Sequence, residues 1–293
     1  MHVVGTILAE RIEELRSDRQ HGGSWMARRA VETLAEVARE TAGDSSELVD
    51  RLVKAGRELS ASRPGIGAVA GAVGRVLAAA KRQAHLDPEQ LQRVVLEEAQ
   101  ALVESRTRAA ASIAIQLRER IEEAVVLTHS ASATVREALL HTPPARALCT
   151  VSHPYEEGRD FAAELREAGV EADLIEDEDA PGELAEVLVF LIGADTVFHD
   201  GTLCNKIGTS KLAKAAAELG VPTVVACEVI KLAPVDAANA PDLTPEASHL
   251  FDLTAPDLIE QIVTEEGAYA TDEIGALVDR TPFLREGYAL LRG

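Results

Sequence analysis

The chain has 293 residues, 46% hydrophobic but only 3% aromatic, so its core must be packed with Ala, Val, Leu and Ile. Its formal charge is −20, from 29 Lys and Arg against 49 Asp and Glu, and no basic tract interrupts it. Such a surface repels phosphate backbones and argues against direct nucleic-acid binding. The longest apolar run, Val187 to Ile192, is too short to span a bilayer, and no basic segment precedes an apolar one at the N-terminus. A cytoplasmic protein without membrane contact is expected.

Only six of the positive charges are lysines, at 54, 81, 206, 211, 214 and 231. An acidic, lysine-poor, alanine-rich chain suits a high-salt cytoplasm, although an ordinary acidic bacterial protein can share this composition. The cysteines, Cys149, Cys204 and Cys227, are odd in number and lack CxxC spacing, which points to a reducing compartment, with neither disulfides nor a metal site.

From Val4 to about Glu123 the pattern is helical throughout. Ile7, Ile12 and Leu15 begin an amphipathic segment, a polar turn covers Ser17 to Gly23, and Ala30–Thr41 and Ser46–Ser60 repeat apolar residues at three- and four-residue intervals. Asp87-Pro88-Glu89 reads as an N-cap followed by proline at the first helical position, opening a long helix towards Arg108 and beyond. A helical domain over 1–123 is expected.

At Val125 short β-rich runs begin to alternate with helices. Strands are predicted at Val125–Thr128, Ala147–Val151, Val170–Ile175, Val187–Ile192, Thr196–Phe198 and Pro222–Cys227, with helices at Ala133–His141, Arg159–Ala168 and Lys211–Leu219. Gly169 and Gly220 stand where a left-handed residue ends a helix. Strands apolar on both faces and joined by helices make a mostly parallel sheet, so 124–293 is predicted to be an α/β domain with its ligand beyond the carboxyl ends of the strands.

Several residues stand at those ends. Ser130, Ser132, Ala133 and Thr134 open the helix after the first strand, where hydroxyls and free N–H groups either hold an anion or simply cap the helix. Asp195, in Gly193-Ala194-Asp195, is either a general acid/base or a turn cap. Asp200-Gly201 marks a tight turn, and Asn205-Lys206-Ile207-Gly208-Thr209 precedes a helix. Lys206 offers a point charge for phosphate and Asn205 a donor and an acceptor; a solvated helix start is the other reading. Glu228 and Lys231 follow the last of these strands, as a further cation at the same edge or as a surface salt bridge of little worth.

The stretch GADTVFHDGTLCNKIGT resembles the signature of one family. Its branches are the alpha, beta and delta regulatory subunits of eukaryotic translation initiation factor 2B, the methylthioribose-1-phosphate isomerases and the archaeal ribose-1,5-bisphosphate isomerases. Ser62-Arg63-Pro64 resembles the family's arginine-proline element, Gln20-His21-Gly22-Gly23 its N-terminal glycine loop, and FDLTAPDLIEQIVTEEG its conserved tail. The resemblance implies a helical bundle followed by a Rossmann-like domain, a dimer or higher homo-oligomer, and a phosphorylated pentose or nucleotide held by Gly22, Gly23, Arg63, Ser132, Ala133, Thr134, Asn205, Lys206 and Lys231, with no cofactor and no metal.

In the isomerase branches a cysteine and an aspartate move protons between the first two carbons of the sugar. Asp195 stands at the aspartate position, but the cysteine position is Ser130. A thiol titrates near pH 8.5 and can be tuned lower, whereas a hydroxyl needs a base holding it. His129, a neighbour on the strand end, is expected to point elsewhere. The family's Glu-Thr-Arg-Pro segment appears as Val151-Ser152-His153-Pro154, and its Arg-Gly-Ala loop as His21-Gly22-Gly23. Cys204 is either a relocated thiol or a small buried hydrophobe. The leading expectation is an initiation-factor-like subunit that binds a sugar phosphate or nucleotide without efficient catalysis and acts through protein contacts, including an initiation-factor partner. The alternatives are a ribose-1,5-bisphosphate isomerase using Asp195 and a metabolite-gated scaffold.

Overall fold

The computed structural model describes residues 2–19, 21–40, 43–240 and 249–292, with the side chains of 2–6 left aside. Gln20 and Thr41, each at the edge of a predicted segment, lie outside the described residues. Packing divides the chain into two compact units: Met1–Arg106 with Ile230–Pro234 and Ala276–Gly293, and Thr107–Val229 with Val235–Gly275. No helix among the described residues is long and apolar enough to cross a membrane.

The first unit is helical. It comprises α1 (His2–Ser17), α2 (Gly23–Arg39), α3 (Ser45–Ala61), α4 (Gly67–Arg82) and the start of α5 (Pro88–Ile121). Asp44 caps α3 by accepting the Glu47 N–H at 2.9 Å. The predicted opening of α5 is observed, since Asp87 accepts the Gln90 N–H at 2.9 Å and Pro88 is the first helical residue. In the predicted helical pattern 61–86 is one undivided stretch. It contains α4, whose Gly- and Ala-rich surface allows burial on nearly every side; Gly56 lies against Val73 and Leu77.

The second unit follows the alternating pattern: β1 (Val125–Thr128), α6 (Ala133–His141), β2 (Arg146–Thr150), α7 (Glu157–Glu167), β3 (Ala172–Ile175), the single turn α8 (Ala180–Glu183), β4 (Val189–Ile192), β5 (Thr196–Phe198), β6 (Leu203–Lys206), α9 (Thr209–Glu218) and β7 (Thr223–Ala226). The short strand β8 (Leu232–Ala233) falls in the first unit, and β9 (Phe251–Thr254), β10 (Gln261–Thr264) and β11 (Gly267–Tyr269) complete the second. Two helices close the chain, α10 (Ile274–Asp279) and α11 (Pro282–Arg292), with Gly287 of α11 packed on Gly74 of α4. Gly169 and Gly220 take φ of +87° and +71°, as their places after α7 and α9 require.

The main sheet has the order β11-β10-β7-β4-β1-β2-β3, parallel except for the β10–β11 pair. The chain runs outward from β1 through β2 to β3, then returns to β4 on the other side of β1. The crevice between the carboxyl ends of β1 and β4 is therefore the topological switch point, where such sheets hold ligands. Thr196–Phe198, predicted from its composition alongside the parallel strands, instead pairs antiparallel with β6, which also pairs antiparallel with β9. This ladder sets the Asn205–Lys206 pair on a strand, opposite Asp252 and Phe251, and not in a loop before a helix.

Candidate functional site

At the switch point the chain leaves β1 in a left-handed turn, with Ser130 at φ +68°. Ser152 after β2 and Glu156 before α7 are also left-handed, at +67° and +57°. Each such non-glycine residue costs ~1–3 kcal/mol and persists only where its surroundings over-determine it. Here the surroundings are a directed chain of hydrogen bonds.

The order of that chain follows from its ends. His129 Nε2 lies 2.8 Å from the Ile207 carbonyl, which can only accept, so Nε2 carries the proton and Nδ1 is an acceptor. Thr150 Oγ1, 2.7 Å from Nδ1, therefore donates to it, and Ser152 Oγ donates to Thr150 Oγ1 at 2.8 Å. Ser152 Oγ in turn accepts the Ser130 N–H at 2.7 Å. Both ring nitrogens of His129 are engaged in this buried network, so the imidazole points away from the Ser130 hydroxyl, as expected from sequence. Burial holds its pKa below the usual histidine range.

That shift gives a stability prediction. With the folded pKa lowered, the unfolded chain takes up a proton near pH 6.5 while the folded one does not, so stability falls as the pH drops below 6.5, by at most ~1.4 kcal/mol per pH unit. Urea midpoints from pH 7 to 5 should fall more steeply for the natural chain than for His129→Gln. Parallel curves would remove His129 as the cause. Asp252, lifted by burial, favours the folded state at acid pH and is common to both proteins.

The Ser130 hydroxyl faces the other way. Its Oγ donates to Glu157 Oε1 at 2.7 Å, and Lys206 Nζ lies 2.8 Å from Oε1 and 2.9 Å from Oε2 of the same carboxylate. The Lys206 side chain is 6% exposed and that of Glu157 24%. The Tyr155 ring stands 5.1 Å from Nζ, within cation–π range. Lys206 is thus a buried strand residue, which sets aside its reading as part of a solvated helix start.

Two other carboxylates fill donor sets nearby. Asp177, beyond β3, accepts the Ser152 and His153 N–H groups at 2.7 and 2.9 Å, closing the turn after β2. Asp252 accepts the Gly208 N–H at 2.8 Å and that of Ser210 at 3.3 Å, at the start of α9. Asn205 Nδ2 donates to Thr209 Oγ1 at 3.1 Å, and Thr209 Oγ1 donates to the Lys206 carbonyl at 2.6 Å, so this asparagine braces the same turn.

The other residues singled out from sequence fall as follows. Ser132 caps α6, its Oγ accepting the Val135 N–H at 3.3 Å; Ala133 is exposed, and Thr134 is buried with its hydroxyl 3.5 Å from Glu228. Gly193 has room only for hydrogen, because a Cβ there would collide with the Ser132 side chain; this close approach brings the end of β4 to the start of α6. Asp195 is half-buried, and its N–H donates to the Cys204 carbonyl at 3.1 Å. Ser130, Ser132, Asp195, Asn205 and Lys206 all belong to the second unit; Gly22, Gly23, Arg63 and Lys231 belong to the first. Gly22 is the N-cap of α2 and Gly23 its first residue, while Arg63 donates to the Arg16 and Asp18 carbonyls at the end of α1. Glu228 and Lys231 are both buried, not the solvent-exposed side chains considered from sequence. The Cys204 thiol is fully buried and is held above the usual range by burial and by the charges of Asp195 and Asp252. It is a small core hydrophobe and not a replacement acid/base.

Sequence reasoning missed Glu157, Tyr155 and Asp177. The rule that drew attention to Asp195, a carboxylate beyond a parallel strand, applies equally to Asp177 after Ile175. Glu157 gave a weaker signal, as one of two glutamates opening a helix before Gly158.

This arrangement can be set beside known proteins. The sequence model of the Initiation factor 2 subunit family matches residues 19–249. A ribose 1,5-bisphosphate isomerase of Archaeoglobus fulgidus is 30% identical over 283 residues, covering 88% of each chain. One of Haloferax volcanii is also 30% identical, covering 88% of this chain and 87% of its own. The crystal structure of the translation initiation factor eIF-2B of Pyrococcus horikoshii OT3 superposes with a TM-score of 0.77 at 26% identity, over 90% of this chain and 96% of that one. Fold, sequence span and signature agree, and the chain belongs to the Initiation factor 2 subunit family.

Proposed function

We propose that the chain binds a phosphorylated pentose or a nucleotide at the switch point and acts through protein contacts, without efficient isomerisation. The observation that carries this reading is the state of position 130. A hydroxyl stands there in place of a thiol, and the lone pairs of the carboxylate it meets are already divided between Ser130 and Lys206. No second thiol substitutes for it, since Cys149, Cys204 and Cys227 are all buried, and burial pushes Cys149 up to about 12. Loss of an acid/base partner lowers rates by ~10²–10⁴-fold. The ligand residues of the proposal are Ser132, Ala133, Thr134, Asn205 and Lys206, together with Gly22, Gly23, Arg63 and Lys231, which the family resemblance assigns. A homo-oligomer, an initiation-factor partner and a cytoplasm of high salt belong to the same proposal.

A second reading, a ribose 1,5-bisphosphate isomerase using Asp195, is favoured by one contact: Ser130 donates to Glu157 at 2.7 Å, so the hydroxyl does have a base beside it. The names of the two 30%-identical relatives support the same reading. Calorimetry and a ³¹P NMR assay with ribose 1,5-bisphosphate separate the two. Binding without appreciable ribulose 1,5-bisphosphate is the expected result. Robust turnover that vanishes in Asp195→Asn would establish the isomerase instead.

A further inference from the structure

The Glu157 carboxylate also bears on how a ligand enters the site. It takes the Lys206 ammonium on both oxygens, at 2.8 and 2.9 Å, and accepts the Ser130 hydroxyl on one of them at 2.7 Å. Within the second unit, Lys206 is the cation a ligand phosphate would use, and at 6% exposure it lies beneath a carboxylate that is 24% exposed. The carboxylate takes two of the three N–H donors of Nζ, and at 6% exposure little of the third is open to solvent, so a phosphate gains the ammonium by displacing Glu157. Glu157 is the first residue of α7, and Tyr155 sits two residues before it, so both partners of the ammonium come from the segment that joins β2 to α7. The Tyr155 ring faces the ammonium at 5.1 Å through its own contact, separate from the carboxylate.

We propose that Glu157 is a built-in competitor for Lys206, so that an anionic ligand reaches the ammonium only by exchanging with this carboxylate. The inference rests on the switch point being a phosphate-ligand site, and it adds the specificity element of that site. Inorganic phosphate or a carboxylate meets a neutralised lysine and is turned away. A phosphorylated sugar brings hydroxyls that can take over the partnership of Ser130 and Glu157 while its phosphate takes Lys206. The exchange replaces one anion by another on the same cation and needs no covalent step. In population terms the binding-competent state is the fraction with Glu157 displaced, and apparent affinity is reduced by that fraction.

The test is calorimetry on the whole protein with inorganic phosphate, and separately with ribose 1,5-bisphosphate, for the natural chain, Glu157→Gln, Glu157→Asp and the double variant Glu157→Gln/Lys206→Met. Glu157→Gln should bind phosphate on the order of tenfold more tightly, because the competing charge is gone. Glu157→Asp, its carboxylate withdrawn by one methylene, should gain less, and it decides the matter if the glutamine variant does not fold. The gain should vanish in the double variant. Equal or weaker phosphate binding by Glu157→Gln, with circular dichroism unchanged, would overturn the exchange, and so would a gain that survives without Lys206. If the phosphate gain holds while ribose 1,5-bisphosphate binds to none of the proteins, the exchange stands and the sugar-phosphate reading alone is lost.

Discussion

Cysteine at position 130 is expected to raise the conversion of ribose 1,5-bisphosphate by ~10²–10⁴-fold over the natural chain, the range an acid/base partner contributes. The substitution changes one atom type in a place already built for a polar side chain. The backbone at 130 is fixed in its left-handed turn by the N–H bond to Ser152 at 2.7 Å, which the new side chain does not touch. A thiol directed as the hydroxyl is now would meet the Glu157 carboxylate, whose charge Lys206 offsets. The rate should therefore climb with pH into the ordinary thiol range near 8.5, and the gain should vanish when Asp195→Asn is added. A folded Ser130→Cys variant that gains nothing would show that more than the thiol is missing. The departures at 151–154 and 21–23 would then be the places to look, since there the family's Glu-Thr-Arg-Pro and Arg-Gly-Ala have become Val-Ser-His-Pro and His-Gly-Gly.

What could be read beforehand tracks how local each signal is. The bounds of Val125–Thr128 are legible to the residue because four apolar or β-branched residues stand between a helix end and a helix start. The α5 opening was legible because Asp87 and Pro88 act within one turn. Strand β6 was not, since only Leu203 and Cys204 look like strand residues, and what pairs the other two is β9, more than 40 residues away in sequence. The same distance hid the roles of Asp252 and Glu157: a capping carboxylate supplied by another strand, or a partner for Lys206 supplied 49 residues upstream, leaves no periodicity. At Ser132 the opposite holds. Helix capping and anion binding draw on the same residue and the same N–H groups, so the sequence carried both readings, and the hydrogen bond to the Val135 N–H shows the capping one in place. The family signature added what periodicity lacked, the functional weight of positions 130 and 195, but it could not say which carboxylate would stand beside a serine.

Gly158→Ala is expected to be among the most destabilising single-methyl additions in the second unit, lowering stability by roughly 3 kcal/mol or more, at the upper end of overpacking costs. A Cβ at 158 would collide with the Thr150 carbonyl oxygen, lie 2.9 Å from its carbonyl carbon and 3.0 Å from the Val151 oxygen. All three are backbone atoms at the end of β2, so no rotamer change relieves the overlap. The start of α7 must move away from the strand, and the Gly158 N–H bond to the Val151 carbonyl at 3.1 Å is lost with it. Glu157 is the neighbouring residue, and it would be carried away from Ser130 and Lys206, uncovering a buried ammonium. The methyl group therefore acts on fold and site together. Urea denaturation should show a lowered midpoint with an unchanged m-value, and phosphate titration of the surviving folded protein should shift in the same direction as Glu157→Gln. A variant as stable as the natural chain would mean that β2 and α7 can separate at little cost, and the tight junction that presents Glu157 to Lys206 would then be looser than its geometry implies.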